Sequence, residues 1–289
     1  MKNSRSISTS TQVCAVIGNP IAHSLSPAIH NAAFAFLDLD FIYVAHRVED
    51  AKNALAGMRA LGNFRGMSVT IPHKMAVIKY VNEIAAVDRA IGSINTIIHE
   101  QDRLIGLGTD GPGAFKAMVD AGVEVDGKNV LMLGAGGAAR AISFTLARNA
   151  KLEELLLLDI DESLLKGLKT DLESGTDAVV KAGLLTESAL SAAMADADLI
   201  IHSTPVGMHP NEDVSLIPPE LFRPGQVVFD IVYTPLETKL LTEARSRGLK
   251  VISGVEMFIN QAVLQFEHFT GVDAPVEVMR RVVMEHLKS

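Results

Sequence analysis

The clearest chemistry in this sequence lies in a glycine-rich turn, Gly134-Ala135-Gly136-Gly137-Ala138-Ala139. The turn follows the apolar run VLML and opens a segment of helical periodicity, which is the setting of the G-x-G-x-x-G/A dinucleotide motif. Gly134 permits a tight turn, Gly136 lets the backbone approach a pyrophosphate, and small Ala139 allows close contact between helix and strand. The free N–H groups at the helix start favour an anion. The turn therefore predicts a dinucleotide site.

The choice of dinucleotide depends on the end of the next apolar run, ELLLLDI, which places Asp159 at its tip. A carboxylate at this point can accept hydrogen bonds from both ribose hydroxyls of NAD. Asp159 and Asp161 would repel the 2′-phosphate of NADP, and Ile160 offers no positive charge. The pattern favours NAD. The alternative, that these carboxylates only cap the following helix, is stronger for Asp161 than for Asp159.

Two residues could move a proton. Lys74 follows the apolar strand of GMSVTIPHK, and Asp110 lies in the glycine-rich segment GLGTDGPG. A lysine held partly out of water beside a carboxylate can exchange protons near neutral pH. A nicotinamide enzyme that oxidises an alcohol needs such a group for the hydroxyl proton. Each residue alone is more often a surface charge, so the hypothesis depends on the two acting together.

The elements that must position these residues alternate between short β-branched runs and amphipathic segments. The first half reads as VCAVIG, a helix over about 27–37, DFIYVAHRV, a helix near 50–61, and GMSVTIP. This order favours a mostly parallel sheet covered by helices. After Asp110 the pattern restarts, and its further strands are VLML, LEELLLLDI, ADLIIHSTP, GQVVFDIVY and LKVISG. We predict an α/β protein with a Rossmann-type domain over 113–253, a substrate domain over 1–112 with 254–289 returning to it, and a cleft between them.

Charge and composition argue against several classes of binding partner and location. The net charge of -8, without a basic cluster, argues against nucleic acid or an anionic membrane surface. Cys14, the single cysteine, excludes a disulfide framework and is expected to be a buried hydrophobe. The Ser/Thr-rich segment MKNSRSISTSTQ lacks the apolar core of a signal peptide, and no apolar run is long enough for a membrane span. We expect a frayed N-terminus, a cytoplasmic location and no metal, and leave monomer or homodimer open.

The motifs together resemble the shikimate dehydrogenase family, including its NAD-preferring quinate/shikimate branch. The resemblance spans nearly the whole chain and rests on GNPIAHSLSPAIHN, GMSVTIPHK, AIGSINTI, GLGTDGPG, GAGGAAR, STPVGM, DIVYTP and GVEMFINQA. It implies hydride transfer between the C3 carbon of shikimate and a nicotinamide, with quinate as a second candidate substrate.

The resemblance also implies roles for individual residues. Ser24 and Ser26 would bind the substrate carboxylate, while Lys74 and Asp110 would form the catalytic pair. Ring-hydroxyl or carbonyl contacts would come from Thr70, Asn95, Gln261, Tyr233 and Asp110. The cofactor residues would be Gly134, Ala135, Gly136, Gly137, Ala138, Asp159, Thr204, Val206, Met208, Val232, Gly254 and Met257. We expect His23 and His30 to be structural.

The sequence departs from the family pattern at three places. Ser68 and Gly108 stand where the family usually has Asn, which affects the expected substrate range. Asp159-Ile160-Asp161 stands where NADP-using members carry Asn-Arg-Thr, in agreement with the charge argument for NAD. Two other functions stay open: an NAD-dependent quinate dehydrogenase of quinate breakdown, and a non-catalytic sensor of a dinucleotide and an acid. A methylenetetrahydrofolate dehydrogenase also joins a lysine-bearing domain to a Rossmann domain, but Ser24 and Ser26 argue against it.

Overall fold

Residues 7–288 are described by the structure, a computed structural model, and they fall into two units. The first unit ends at Thr109 and resumes at Gln261, and the second is Asp110–Asn260. The predicted divisions, after 112 and after 253, lie close to these. The second boundary falls later because Asn260 still belongs to the second unit, where its Nδ2 donates to the carbonyl of Gly113 at 3.4 Å.

The first unit contains a six-stranded sheet. Its strands are β1 (Gln12–Gly18), β2 (Phe41–Arg47), β3 (Phe64–Val69), β4 (Glu83–Ile84), β5 (Thr96–Glu100) and β6 (Arg103–Leu107). Their order across the sheet is β2-β1-β3-β5-β6-β4. The helices are α1 (Ser26–Phe36), α2 (Ala51–Arg59), α3 (Ala86–Ile91) and α10 (Val276–Leu287), with a 3-10 helix at Ala76–Tyr80.

The prediction of a mostly parallel sheet is confirmed for five of its six strands, and β5 is the exception. β4 pairs in parallel with β6. β1 pairs in parallel with β2 and β3, but β5 runs antiparallel to both β3 and β6. A two-residue turn at Gln101 and Asp102 joins β5 to β6, and both residues have positive φ, at 49° and 61°. Two-residue hairpin turns normally carry Asn or Gly, so this hairpin was not predicted.

The start of the described chain is ordered by hydrogen bonds to Asp40. The hydroxyls of Ser10 and Thr11 donate to its two carboxylate oxygens at 2.8 and 2.7 Å. The prediction of a frayed N-terminus is therefore wrong for these residues, and residues 1–6 lie outside the described chain. Cys14 is fully buried, as expected for a small hydrophobe, and burial raises the pKa of its thiol.

The second unit contains a six-stranded, fully parallel sheet. Its strands are β7 (Asn129–Leu133), β8 (Glu154–Asp159), β9 (Val180–Leu184), β10 (Leu199–His202), β11 (Val227–Asp230) and β12 (Lys250–Ser253), in the order β12-β11-β10-β7-β8-β9. Its helices are α4 (Asp110–Asp120), α5 (Gly137–Asn149), α6 (Glu162–Gly175), α7 (Glu187–Asp196), α8 (Lys239–Ser246) and the first residues of α9 (Gly254–Thr270). The strand order reverses between β7 and β10, which is where open α/β sheets bind ligands. The α/β fold with a Rossmann-type domain is confirmed.

Candidate active site

Gly134, the first glycine of the turn in the second unit, has room for backbone only. Gly134 has a φ of +110°, and a Cβ placed on it would lie 2.6 Å from Oγ of Ser203. Its N–H donates to the carbonyl of Leu158 at 2.8 Å, which ties the turn to the end of β8. A side chain at this position would therefore meet both backbone strain and a clash.

The N-terminus of α5 begins directly after this turn. Gly136 is its N-cap residue in extended conformation, and no side chain among residues 7–288 accepts a capping hydrogen bond there. The first N–H groups of the helix consequently remain available to an anion such as a pyrophosphate. This arrangement fits the dinucleotide that the sequence motif predicts.

The two carboxylates after β8 have different roles. Oδ2 of Asp159 accepts from the N–H of Ala135 at 2.6 Å, so this side chain lies against the glycine turn. Asp161 caps α6 by accepting from Ser163 and Leu164 at 2.9 and 3.0 Å. Helix capping thus accounts for Asp161 but not for Asp159. Between them, Ile160 is 81% exposed.

The remaining expected cofactor residues follow the carboxyl ends of strands in the same sheet. Thr204, Val206 and Met208 come after β10, Val232 after β11, and Gly254 and Met257 open α9. The loop after β10 is tied to β7 by Ser203, whose N–H and hydroxyl both donate to the carbonyl of Leu133 at 2.8 Å. The parallel sheet therefore brings these segments to one edge. Met208 is exposed, whereas Val232 and Met257 are buried.

Tyr233 follows β11 and stacks on Phe258, with ring centroids 4.5 Å apart. Burial raises the pKa of its hydroxyl to about 12. The hydroxyl is therefore protonated at neutral pH and able to donate a hydrogen bond, as the expected contact with a substrate oxygen requires.

In the first unit, the expected carboxylate-binding serines lie at the start of α1. Oγ of Ser24 accepts from the N–H of Ser26 at 3.3 Å, and Ser26 is buried. Tyr43 of β2 is also buried, and burial raises the pKa of its hydroxyl, while Ser68 and Ser26 act against this rise. Sequence reasoning missed Tyr43, because no motif links a residue in the middle of β2 to the start of α1.

Tyr43 opens a buried chain of polar side chains. Its hydroxyl donates to Ser68 at 2.6 Å, and Ser68 donates to Oε1 of Gln265 at 2.6 Å. Nε2 of Gln265 in turn donates to Oγ1 of Thr96 at 3.0 Å. The serine that departs from the family pattern therefore has a defined hydrogen-bonding role. Gln265 was also missed by sequence reasoning, and its link to Ser68 spans 197 residues.

The structure brings Asn95 and Gln261 together. Oδ1 of Asn95 accepts from the N–H of Thr109 at 2.7 Å, and Nδ2 donates to its hydroxyl at 2.9 Å and to Oε1 of Gln261 at 3.4 Å. Thr70 follows β3, and its methyl group would lie 2.5 Å from a Cβ at Gly18. Because Gly18 has no side chain, it leaves room for Thr70.

The expected acid–base residues lie one in each unit. Lys74 is half-buried just beyond β3, where its carbonyl accepts from the N–H of Ile94 at 3.0 Å. Asp110 is 6% exposed and is the first residue of α4. Of the departures from the family pattern, Gly108 lies near Asp88, whose Oδ1 would be 2.7 Å from a Cβ at that position. An Asn at 108 would consequently require Asp88 to move.

The two histidines near the first motif differ in burial. His23 is exposed, whereas His30 is fully buried and stacks on Tyr43 with ring centroids 4.4 Å apart. Burial lowers the pKa of His30 to about 3. Within residues 7–288, no group of three or more His, Cys, Asp or Glu side chains could hold a metal ion. No helix in the same range has the length and apolarity to cross a membrane.

Comparisons with known proteins match the chain over nearly its whole length. Residues 16–97 match the model of the shikimate dehydrogenase substrate binding domain, and residues 254–284 match that of the shikimate 5′-dehydrogenase C-terminal domain. The shikimate dehydrogenase (NADP(+)) of Moorella thermoacetica is 42% identical over 281 residues, covering 96% of this chain and 95% of the relative.

Solved structures show the same architecture. Shikimate 5-dehydrogenase from Listeria monocytogenes, in complex with shikimate and NAD, has a TM-score of 0.89 at 32% identity, covering 98% of this chain and 100% of the other. Quinate dehydrogenase from Corynebacterium glutamicum, in complex with NAD, has a TM-score of 0.87 at 26% identity, covering 95% and 99%. Sequence identity and coverage of this extent place the chain in the shikimate dehydrogenase family.

Proposed function

We propose that this chain catalyses the reversible NAD-dependent interconversion of shikimate and 3-dehydroshikimate. The observation that carries the proposal is the similarity to a shikimate dehydrogenase over 96% of the chain. The residues that the family resemblance assigns to substrate and cofactor all lie within the described residues of the two units, which supports the proposal.

The first unit would hold the acid. Ser24 and Ser26 supply neutral donors for the carboxylate, which avoids the desolvation cost of burying a charged partner. Thr70, Asn95 and Gln261 would contact the ring hydroxyls. The hydrogen bonds that Asn95 makes to Thr109 support this role, because they fix the amide before a ligand arrives.

The proton would pass through Lys74. A nicotinamide dinucleotide, when bound, accepts the hydride that leaves the alcohol carbon. Lys74 in its neutral form would take the hydroxyl proton. Asp110 is the second member of the catalytic pair that the family resemblance implies. Tyr233, protonated at neutral pH, would donate to a substrate oxygen.

The preference for NAD is the part of the proposal that depends most on this chain's own residues. The names of curated relatives lean toward NADP, as in the proteins from Moorella thermoacetica and Methanosarcina mazei. In this chain, the carboxylate of Asp159 lies at the turn and would repel a 2′-phosphate. Arg140, in the helix that follows the turn, already forms an ion pair with Asp171.

Quinate is the second candidate substrate, supported by the likeness to a quinate dehydrogenase structure. Steady-state kinetics with shikimate and quinate, each with NAD and NADP, test the proposal. We expect the largest kcat/KM for shikimate with NAD. A larger kcat/KM with quinate would show that quinate is the preferred substrate, and a larger value with NADP would show that NADP is the preferred cofactor. No turnover with any pair would favour the non-catalytic sensor.

A further inference from the structure

The ends of two neighbouring strands carry a buried pair that the roles above leave unused. β10 ends at His202 and β11 at Asp230, and the parallel register sets the two residues side by side. His202 is 1% exposed and Asp230 is fully buried. Nδ1 of His202 lies 2.9 Å from Oδ1 of Asp230. Burying an anion this deeply costs solvation free energy unless several donors compensate for it.

The other donors to Asp230 settle where the histidine proton lies. The N–H of Val232 donates to Oδ1 at 3.0 Å, and the hydroxyl of Thr238 donates to Oδ2 at 2.6 Å. Both carboxylate oxygens of Asp230 thus act as hydrogen-bond acceptors. In its bond to Asp230, Nδ1 of His202 is therefore the donor and carries the proton. The second ring nitrogen, Nε2, is left to act on another partner.

That partner is Thr204, whose Oγ1 lies 2.5 Å from Nε2 of His202. In the tautomer that carries its proton on Nδ1, Nε2 accepts from the threonine hydroxyl. Oγ1 of Thr204 then accepts from the N–H of Val206 at 3.3 Å. A continuous chain of hydrogen bonds therefore runs from the buried Asp230 to the loop that follows β10.

This loop lies beside the dinucleotide turn. Ser203, which follows His202 directly, donates to the carbonyl of Leu133 and occupies the space next to Gly134. The loop therefore begins at the reversal of strand order between β7 and β10. We propose that His202 is a positioning residue for dinucleotide binding, which holds Thr204 and its loop in the conformation that receives the cofactor. The inference rests on the proposed function, because it requires a dinucleotide to bind at this edge.

The two nitrogens of His202 can be tested separately. An Asn side chain reaches about as far as Nδ1, so His202→Asn keeps a donor for Asp230 and loses the bond to Thr204. A Gln side chain reaches about as far as Nε2, so His202→Gln keeps a partner for Thr204. Fluorescence titration without substrate, using NADH or NADPH according to which binds the wild type more tightly, measures the dissociation constant.

We expect His202→Asn and Thr204→Val each to raise the dissociation constant about 5-fold to 10-fold, the scale of one hydrogen bond. The double variant should be no weaker than either single variant, because both break the same chain. His202→Gln should bind more tightly than His202→Asn. His99→Asn is the matched control: His99 is a buried histidine of the first unit, bonded through Nδ1 to the carbonyl of Phe64 at 2.9 Å, and its variant should bind normally.

Unchanged dissociation constants in His202→Asn and Thr204→Val, or strictly multiplicative losses in the double variant, would overturn the inference. If circular dichroism shows that His202→Asn does not fold, Thr204→Val and Thr204→Ser test the inference instead. Thr204→Ser should bind the dinucleotide more tightly than Thr204→Val. Equal binding by the wild type and Thr204→Val would overturn the proposal. A wild type that binds neither NADH nor NADPH would overturn the proposed function together with this inference. Normal wild-type binding with unaffected variants overturns the inference alone.

Discussion

The two units build their candidate sites from different parts of the chain. In the first unit, polar side chains bond one another: Tyr43 to Ser68, Ser68 to Gln265, and Asn95 to Thr109. In the second unit, the glycine turn and the uncapped start of α5 present backbone N–H groups. The candidate site of the first unit thus consists mainly of polar side chains, and that of the second unit presents backbone N–H groups at its glycine turn.

This difference predicts how each site responds to substitution. A network of side chains loses a donor or acceptor when one member is replaced, and its neighbours are then left unsatisfied. A site made of backbone N–H groups keeps those donors when a bordering side chain is replaced, provided that the segments carrying them keep their conformation. In the second unit, Asp159 borders the turn and is expected to decide which dinucleotide is preferred.

The largest effect is expected for the proton-transfer residue of the first unit. Lys74→Ala should lower kcat by about 10²-fold or more, with a smaller change in KM, since a general acid–base group contributes on this scale. Steady-state kinetics measure both constants. Lys79→Ala, an exposed lysine a short distance along the chain, is the control. Unchanged turnover in Lys74→Ala would remove the lysine from the mechanism.

The next largest effect concerns Asp159, which is expected to decide which dinucleotide is preferred. We expect kcat/KM of the wild type to be about 10²-fold higher with NAD than with NADP. Asp159 would accept two charge-assisted hydrogen bonds from the ribose of NAD, and it would repel the 2′-phosphate of NADP. The double variant Asp159→Asn with Ile160→Arg should raise NADP use and lower NAD use. Kinetics with both cofactors check this, and a wild type that prefers NADP would show that Asp159 does not exclude the phosphate.

A smaller effect is expected for the carboxylate donors. Ser24→Ala and Ser26→Ala should each raise KM for shikimate roughly 10-fold, the loss of one hydrogen bond to a charged acceptor, while KM for the dinucleotide stays the same. Ser10→Ala removes a hydroxyl of the same unit that bonds Asp40, and it should change neither constant. Equal increases for both substrates in the Ser24 or Ser26 variant would mean that the segment shapes the fold instead of binding the acid.

The smallest effect at neutral pH is expected for His30, a buried histidine of the first unit. Neither ring nitrogen has a hydrogen-bond partner among the described residues, and burial lowers the pKa from 6.5 to about 3. Below about pH 6.5, His30 binds a proton in the unfolded chain but not in the folded chain. The free energy of unfolding therefore falls as the pH decreases toward 3.

His30→Leu should remove this dependence. Between about pH 7 and pH 5, the wild type should lose about 2 kcal/mol more of unfolding free energy than the variant, because each pH unit in this range corresponds to about 1.4 kcal/mol. Urea denaturation at the two values measures the difference. Parallel pH dependence in wild type and variant would show that the buried ring accepts a proton in the folded state.

Much of the second unit could be predicted from the sequence, because local pattern decides it. The runs VLML and LLLL are continuously apolar, as is typical of buried parallel strands, and the glycine turn lies between β7 and α5 as expected. β9 was not predicted, since its sequence VKAGL contains a glycine and no clear alternation. In the first unit, the β5–β6 hairpin escaped prediction because Gln101 and Asp102 are not typical residues of such a turn.

The site residues divide in the same way. Residues within motifs, such as Asn95 and Asp159, could be named from the sequence. Tyr43 and Gln265 could not, because their partner Ser68 lies 25 and 197 residues away, and only the sheet register and the packing of α9 bring the three together. His202 and Asp230 likewise pair through the register of two strands. Long-range side-chain networks depend on tertiary packing that no short pattern records.

Direct titration of shikimate and NADH into the wild type, Ser26→Ala and Asp159→Ala tests most directly the claim that the two units bind different molecules. Ser26→Ala should weaken shikimate binding about 10-fold, the scale of one charge-assisted hydrogen bond, and leave NADH binding unchanged. Asp159→Ala should weaken NADH binding by about 10-fold or more, because two such bonds to the ribose are lost, and leave shikimate binding unchanged. Loss of both ligands in either variant, or loss of the wrong one, would contradict this division.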